Sequence, residues 1–283
     1  MSGELLAFVL YFGVLIGAGV FFFFKEKNEA TQQNYFLGGR SMGPWVTAMS
    51  AQASDMSAWL LMGLPGSIMA FGFGQMWIGI GLALGTAANW IFVAKRLRQF
   101  SHAAGDAITI PQYLGNRFLT KSNTLQVICA VIFFIAFSIY VASAYVAGAS
   151  VFTTIFPQIS TQTAMIIFAI AMLILTFFGG FKAVCWTDFF QGILMFAALL
   201  AVPIIIVATQ NMDTTALAAV YSYQDAVSGE MVECAFGTGI FDASWQEIVS
   251  GLAWGLGYFG MPHILVRFMS IEKPSMVKPA ATV

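Results

Sequence analysis

Long apolar stretches alternate with short polar segments along the whole chain. Each stretch is close to the roughly 20 residues that a helix needs to cross the hydrocarbon core of a bilayer. The predicted spans are residues 5–24, 45–66, 74–94, 125–152, 163–181, 188–209 and 247–266. We therefore predict an all-α polytopic membrane protein with seven transmembrane helices in a single transmembrane domain, residues 1–283.

The charged residues between these spans predict the orientation of the chain. All 12 Lys and Arg residues fall on one side of a seven-span arrangement, after spans 1, 3, 5 and 7. The charged residues on the other side are all acidic: Glu4, Asp213, Asp225, Glu230, Glu233, Asp242 and Glu247. Because basic loops stay in the cytoplasm, the N-terminus is predicted outside and the C-terminus inside.

The composition agrees with a membrane protein and excludes several functions. The chain is 59% hydrophobic and 9% charged, whereas soluble domains carry about 25% charged residues. Its net charge of −1 and the lack of a basic tract give no basis for nucleic-acid binding. The three cysteines form neither a transition-metal pattern nor a disulfide framework. We expect no enzymatic activity and no organic cofactor.

Asp55 is the acidic residue that the prediction places deepest in a span. A carboxylate at that depth costs roughly 2.5–3.5 kcal/mol unless a cation or polar partner compensates it. Small and hydroxyl residues surround it between Ser50 and Ala58, and a predicted break at Gly63–Gly66 follows. Two interpretations remain open: Asp55 helps to bind a cation, or it is a structural hydrogen-bonding residue.

Span 7 is also interrupted, by several glycines and by Pro262. Two Gly/Pro-interrupted spans in separate parts of a chain are typical of inverted-repeat transporters, whose unwound helices bind ions and substrates. Trp254, Tyr258 and Pro262 follow one another at intervals of four residues, which predicts one shared helical face. This face is either a packing surface or part of a substrate site.

Four stretches of sequence together resemble the sodium:solute symporter family, in particular its proline-transporting branch. They are NYFLGGRSMG (34–43), SAQASDMSAWLLMGLPG (50–66), GFKAVCWTDFFQG (180–192) and GLAWGLGYFGMPHILVRFMS (251–270). The resemblance runs from about Tyr11 to Ser270. It implies a LeuT-like fold of two inverted five-helix repeats after one extra helix, here in truncated form. Residues 5–24 would be the extra helix, 45–209 the first repeat and 247–283 the start of the second.

The resemblance also implies a function and roles for individual residues. The function is sodium-coupled import of L-proline across the plasma (inner) membrane, with sodium as the coupling ion. Sodium-binding residues would be Ala53, Asp55 and Met56. Substrate-binding residues would be Ser57, Trp59, Tyr140, Trp254, Tyr258 and Pro262. Coupling residues would be Arg40 and Asp188. His102 and His263 are interpreted as structural.

Two alternatives to transport remain open. Seven spans with an external N-terminus are also the topology of a ligand-sensing receptor, although the interrupted spans 2 and 7 favour a transporter. Because the chain resembles only the N-terminal half of such a symporter, a non-transporting symporter fragment is the other alternative.

Overall fold

The computed structural model describes residues 3–26, 31–209, 220–224, 229–235 and 237–283. Three charged residues used in the orientation argument, Lys27, Asp213 and Asp225, lie outside these ranges. The regular secondary structure of the described residues is helical apart from one short antiparallel sheet, so the predicted helical class is confirmed.

The α-helices of the described residues are numbered in chain order. They are α1 (Gly3–Glu26), α2 (Gln32–Leu37), α3 (Pro44–Asp55), α4 (Leu64–Phe71), α5 (Met76–Ala88), α6 (Lys95–Ala103), α7 (Ile110–Arg117), α8 (Thr124–Ile155), α9 (Thr161–Thr209), α10 (Trp245–Ala253), α11 (Pro262–Ser270) and α12 (Val277–Thr282). Tighter 3₁₀ segments are Gly38–Arg40, Phe73–Gln75, Trp254–Gly260 and Pro274–Met276, and wider π-helical segments are Trp59–Gly63 and Asn89–Ala94. The sheet pairs β1 (Val220–Gln224) with β2 (Met231–Ala235).

Four helical stretches in the described residues are long and apolar enough to cross a membrane: Leu5–Lys25, Phe73–Ala103, Thr124–Ile155 and Thr161–Thr209. The helices Trp245–Gly260 and Pro262–Ser270 are bent by 47° at the break between them. Taken together as one span, they form a fifth stretch of this kind. The protein is therefore a multi-pass membrane protein. Two predicted features differ from this count: span 2 is broken into short helices, and spans 5 and 6 lie within α9.

Gly180 interrupts α9 close to the predicted boundary between spans 5 and 6. Its φ of 60° and ψ of −167° are not helical, and a Cβ there would lie 3.2 Å from the carbonyl oxygen of Tyr35. Glycine adopts this left-handed φ without the penalty that a side chain brings. A continuous helix of the 49 residues of α9 would be about 74 Å long, far more than the roughly 30 Å hydrocarbon core.

The break in predicted span 2 occurs earlier than the sequence indicated. Helix α3 ends at Asp55, and Met56 and Ser57 are not helical. The predicted break at Gly63–Gly66 is wrong, because the chain is helical there. Pro65 lies in the first turn of α4, which follows the π-helical segment Trp59–Gly63 without a break.

The chain divides into two compact units. Unit 1 contains Met1–Asp55, Ala94–Ile193 and Pro262–Val283, and unit 2 contains Met56–Val93 and Leu194–Met261. In unit 1, buried residues of α1 and α9 pack together, including Leu15 and Leu175. The division into an extra helix and two repeats remains a prediction.

The helices of unit 2 approach each other through a glycine seam, formed by Gly81 and Gly85 of α5 with Gly251 and Gly255. A Cβ at Gly85 would lie 2.2 Å from the Gly255 carbonyl oxygen, and one at Gly81 would lie 2.4 Å from that of Gly251. Small residues allow membrane helices to pack backbone against backbone. The seam fixes the 3₁₀ segment that carries Trp254 and Tyr258 against α5.

Candidate functional site

The end of α3 carries two of the predicted sodium-binding residues, Ala53 and Asp55, both partly buried in unit 1. The last four carbonyl groups of an α-helix have no partner within that helix, and Ala53 belongs to this last turn. Gly192 of α9 packs closely here, since a Cβ on it would lie 2.9 Å from Met49 Cε and 3.6 Å from Ala53 Cβ. Ala53 and Asp55 therefore both lie in the last turn of α3, where helix carbonyls lack helical partners.

Unit 2 begins with Met56, the third predicted sodium-binding residue, and with Ser57. Both are partly buried and lie in the non-helical link after α3. The Ser57 carbonyl accepts a hydrogen bond of 3.2 Å from the Leu61 amide. The chain resumes a helical course immediately afterwards, so the interruption spans only a few residues.

Trp59 and Trp254, both predicted to bind substrate, are stacked in unit 2. Their ring centroids are 4.6 Å apart with an angle of 25° between the planes. Gly63 makes room for the Trp59 indole, because a Cβ at that glycine would lie 3.0 Å from Trp59 Cδ1. Trp254 is 46% exposed, so the pair presents an aromatic surface.

Tyr258, also predicted to bind substrate, is 3% exposed and is fixed through its backbone. The Asn89 side-chain amide donates a hydrogen bond of 2.9 Å to the Tyr258 carbonyl. A 3₁₀ helix has three residues per turn, so residues four apart point about 120° from each other. The expectation that Trp254 and Tyr258 share one face therefore does not hold in the Trp254–Gly260 segment.

Tyr140 and Pro262, the remaining predicted substrate residues, belong to unit 1. Pro262 is the first residue of α11, and His263 follows it. The His263 ring stacks on Tyr140, with centroids 5.7 Å apart and a 22° angle between the planes. Phe137 contacts the same imidazole edge-on at 5.6 Å. The structure thus brings Tyr140 to the start of α11.

Asp188, a predicted coupling residue, is part of a buried charge network in unit 1. Its Oδ2 atom accepts hydrogen bonds from Arg267 Nη2 at 2.8 Å, Ser50 Oγ at 2.7 Å and Ser54 Oγ at 3.2 Å. Arg267 Nε also donates to Ser50 Oγ at 2.7 Å, and its Nη1 donates to the His263 carbonyl. The network joins α3, α9 and α11.

Arg40, the other predicted coupling residue, forms a second network. Its Nε donates to Asp106 Oδ1 at 2.8 Å, and its Nη groups donate to the carbonyls of Met269 at 2.6 Å and Ala107 at 2.9 Å. Nη1 also lies 3.2 Å from Ser101 Oγ. Burial lowers the pKa of the Arg40 guanidinium, while the Asp106 carboxylate opposes that shift.

Both partners of the Arg40–Asp106 pair have left-handed backbone conformations, with φ of 51° and 52°. Such values are uncommon for residues with side chains and concentrate at functional or ligand-binding positions. Gly38 and Gly39 precede Arg40 with φ of 62° each. The turn aims the Arg40 side chain at the C-terminal end of α11, and Met269 is the residue it contacts there.

Comparison with known proteins identifies the family. The model of the sodium:solute symporter family matches residues 35–282. The chain belongs to the sodium:solute symporter family. Proteins named sodium/proline symporter from Staphylococcus aureus strains JH9 and NCTC 8325 are each 41% identical to it over 271 residues, or 96% of this chain. This symporter-family chain spans about half the length of those relatives, since the match covers 50% of each.

In this symporter-family chain, the structure shows neighbours of the predicted site residues that sequence reasoning did not select. They are Arg267, Ser50 and Ser54 around Asp188, Asp106 beside Arg40, Asn89 at Tyr258, and His263 at Tyr140. Arg267 was counted only as a charge after span 7, but it lies inside α11 and is 6% exposed. Its position directly after residue 266, the predicted end of span 7, was the sequence signal that could have selected it.

Proposed function

We propose that this protein couples sodium entry to the import of L-proline across the plasma membrane. Family membership supports sodium-coupled solute symport in general, and the relatives' name supports proline as the substrate. The observation that carries the proposal is the interruption of α3 after Asp55, which places the unpaired carbonyls of the last helical turn and an acidic residue at the same helix end. Interrupted helices of this kind bind coupling ions in secondary transporters.

The proposed membrane arrangement has seven spans with the N-terminus outside and the C-terminus in the cytoplasm. The spans are α1, the interrupted α3–α4 stretch, Phe73–Ala103, α8, the two parts of α9 on either side of Gly180, and the bent pair α10–α11. In this arrangement the 12 basic residues lie in the cytoplasmic connections or near the cytoplasmic ends of the spans, which agrees with the positive-inside rule.

In the proposed sodium site, Ala53 and Met56 supply carbonyl oxygens and Asp55 supplies negative charge. Sodium is a hard cation, and hard cations take oxygen ligands in proteins. No transition metal and no organic cofactor enters the proposal.

The proposed substrate-binding residues keep their predicted roles: Ser57, Trp59, Tyr140, Trp254, Tyr258 and Pro262. A pyrrolidine ring needs apolar and aromatic contacts, and its charged groups need a few hydrogen-bonding partners. The stacked pair of Trp59 and Trp254 supports such a role in unit 2. Arg40 and Asp188 would couple ion and substrate binding through contacts with α11.

One sodium ion supplies enough free energy for this function. A membrane potential of 100 mV contributes about 2.3 kcal/mol per charge. A tenfold sodium gradient contributes about 1.4 kcal/mol more. Together they allow proline to accumulate several hundredfold.

The experiment is uptake of radiolabelled L-proline by the complete gene product in liposomes. We expect accumulation above the external concentration when sodium is outside and the interior is negative, and none when potassium replaces sodium. Leucine serves as a control substrate. If proline binds but is not taken up with either sodium or potassium, the ligand-sensing or non-transporting alternative is favoured. If proline neither binds nor is taken up, proline is rejected as the substrate.

A further inference from the structure

His263 carries a buried polar atom that its surroundings in unit 1 do not satisfy. Its Nδ1 atom has no hydrogen-bond partner among the described residues. A buried polar group without a partner costs about 1–3 kcal/mol, and native structures retain few of them. Nδ1 therefore lacks the partner that a buried nitrogen normally has, and a bound ligand is one way to supply it.

The contacts of His263 hold its ring in a defined orientation. Phe137 of α8 contacts the imidazole edge-on, and Tyr140 of α8 stacks against its face. Its carbonyl accepts from Arg267, whose other donors bind Ser50 and Asp188. The backbone and ring are thus fixed, while Nδ1 has no hydrogen-bond partner among the described residues.

Tyr140 and Pro262 are proposed substrate residues, and His263 contacts the first and directly follows the second. A sodium ion is an unsuitable occupant, because hard cations prefer oxygen to imidazole nitrogen. Proline has polar atoms only in its ammonium and carboxylate groups. A neutral imidazole nitrogen can accept from the first or donate to the second, depending on the tautomer.

We propose that His263 is a substrate-recognition residue whose Nδ1 hydrogen-bonds the ammonium or carboxylate group of the transported amino acid. The inference rests on the proposed function, because it takes proline as the substrate. It assigns His263 a role in substrate affinity in place of the purely structural role expected from sequence.

Three substitutions separate the hydrogen bond from the ring contacts. His263→Phe keeps an aromatic ring between Phe137 and Tyr140 but removes Nδ1. His263→Asn places an amide near the former Nδ1 position without the ring, and His263→Ala removes both. His102→Phe is the matched control, because His102 is the other histidine of the chain and is exposed in α6.

Sodium-driven proline uptake by the complete gene product is the first readout. We expect His263→Phe to raise the proline KM at least tenfold, with kcat and sodium dependence within about twofold of wild type. His263→Asn should retain a lower KM than His263→Ala, and His102→Phe should match wild type. A wild-type KM for His263→Phe, or no advantage of Asn over Ala, would overturn the inference while leaving proline transport intact.

Competition by two analogues then identifies the group that Nδ1 contacts. Cyclopentanecarboxylate lacks the ammonium group, and L-prolinamide lacks the carboxylate. The loss of affinity in His263→Phe should disappear for the analogue that lacks the contacted group. If His263→Phe weakens the binding of both analogues as much as the binding of proline, then Nδ1 contacts neither group and the inference is overturned. Absence of sodium-driven proline uptake by wild type would reject the proposed function itself, and this inference with it.

Discussion

Arg267 and Asp188 form a buried ion pair, although 79 residues separate them in the sequence. Arg267 Nη2 lies 2.8 Å from Asp188 Oδ2, and their side chains are only 7% and 13% exposed. Hydroxyl groups of Ser50 and Ser54 complete the carboxylate's partners. Removing one partner of such a pair leaves an uncompensated buried charge, which is strongly destabilising.

This geometry predicts a non-additive effect on stability. Arg267→Gln and Asp188→Asn should each destabilise the folded protein by about 3–5 kcal/mol, and the double variant by less than the sum. The measurement is thermal unfolding of the purified protein in detergent. Lys273→Gln is the control, because Lys273 pairs with Glu272 at 3.3 Å but is 64% exposed, where such pairs contribute little. Additive effects of the two buried substitutions would contradict direct coupling.

Asp55 provides the test of the proposed sodium site. Asp55→Asn keeps size and polarity but removes the charge, so it should largely abolish sodium-driven uptake. Asp55→Glu should retain some uptake, with sodium affinity weakened at least tenfold, or about 1.4 kcal/mol. Uptake is measured against sodium concentration with surface expression controlled, and Glu233→Gln, an exposed acid of β2, is the control. Wild-type sodium dependence in Asp55→Asn would make Asp55 a structural residue.

The stacked tryptophans test the proposed substrate surface. Trp254→Ala should raise the proline KM several-fold more than it changes the sodium dependence, because it removes one ring of the pair with Trp59. Trp254→Phe should recover part of the affinity. Trp245→Ala is the control, since Trp245 begins α10 and is 70% exposed. If proline kinetics are unchanged in Trp254→Ala, the pair serves packing alone.

Cysteine labelling tests the orientation. In a background without Cys129, Cys185 and Cys234, an impermeant reagent added outside should label Thr238→Cys and leave Lys121→Cys unlabelled. Both positions are exposed. The reverse labelling pattern would invert the proposed topology.

Apolar patterning was sufficient to predict α1 and α8, because a membrane-spanning helix needs only length and hydrophobicity. It failed at Met56, where α3 breaks without glycine or proline, since packing can override local helix preference. The partnership of Arg267 with Asp188 depends on chain segments that meet only after folding. The orientation of Tyr258 was missed because the sequence did not distinguish a 3₁₀ segment from an α-helix.

The glycine seam restricts how unit 2 can change over evolution. Every replacement of glycine adds at least a Cβ, and at Gly255 that atom would lie 2.1 Å from the Gly81 carbonyl oxygen. A larger residue on one helix cannot be offset by a smaller one on the other, because both already lack side chains. Substitutions therefore cannot accumulate at these positions. Close packing at the seam therefore depends on the backbone alone at these four positions, while the Asn89–Tyr258 hydrogen bond fixes one segment along the other.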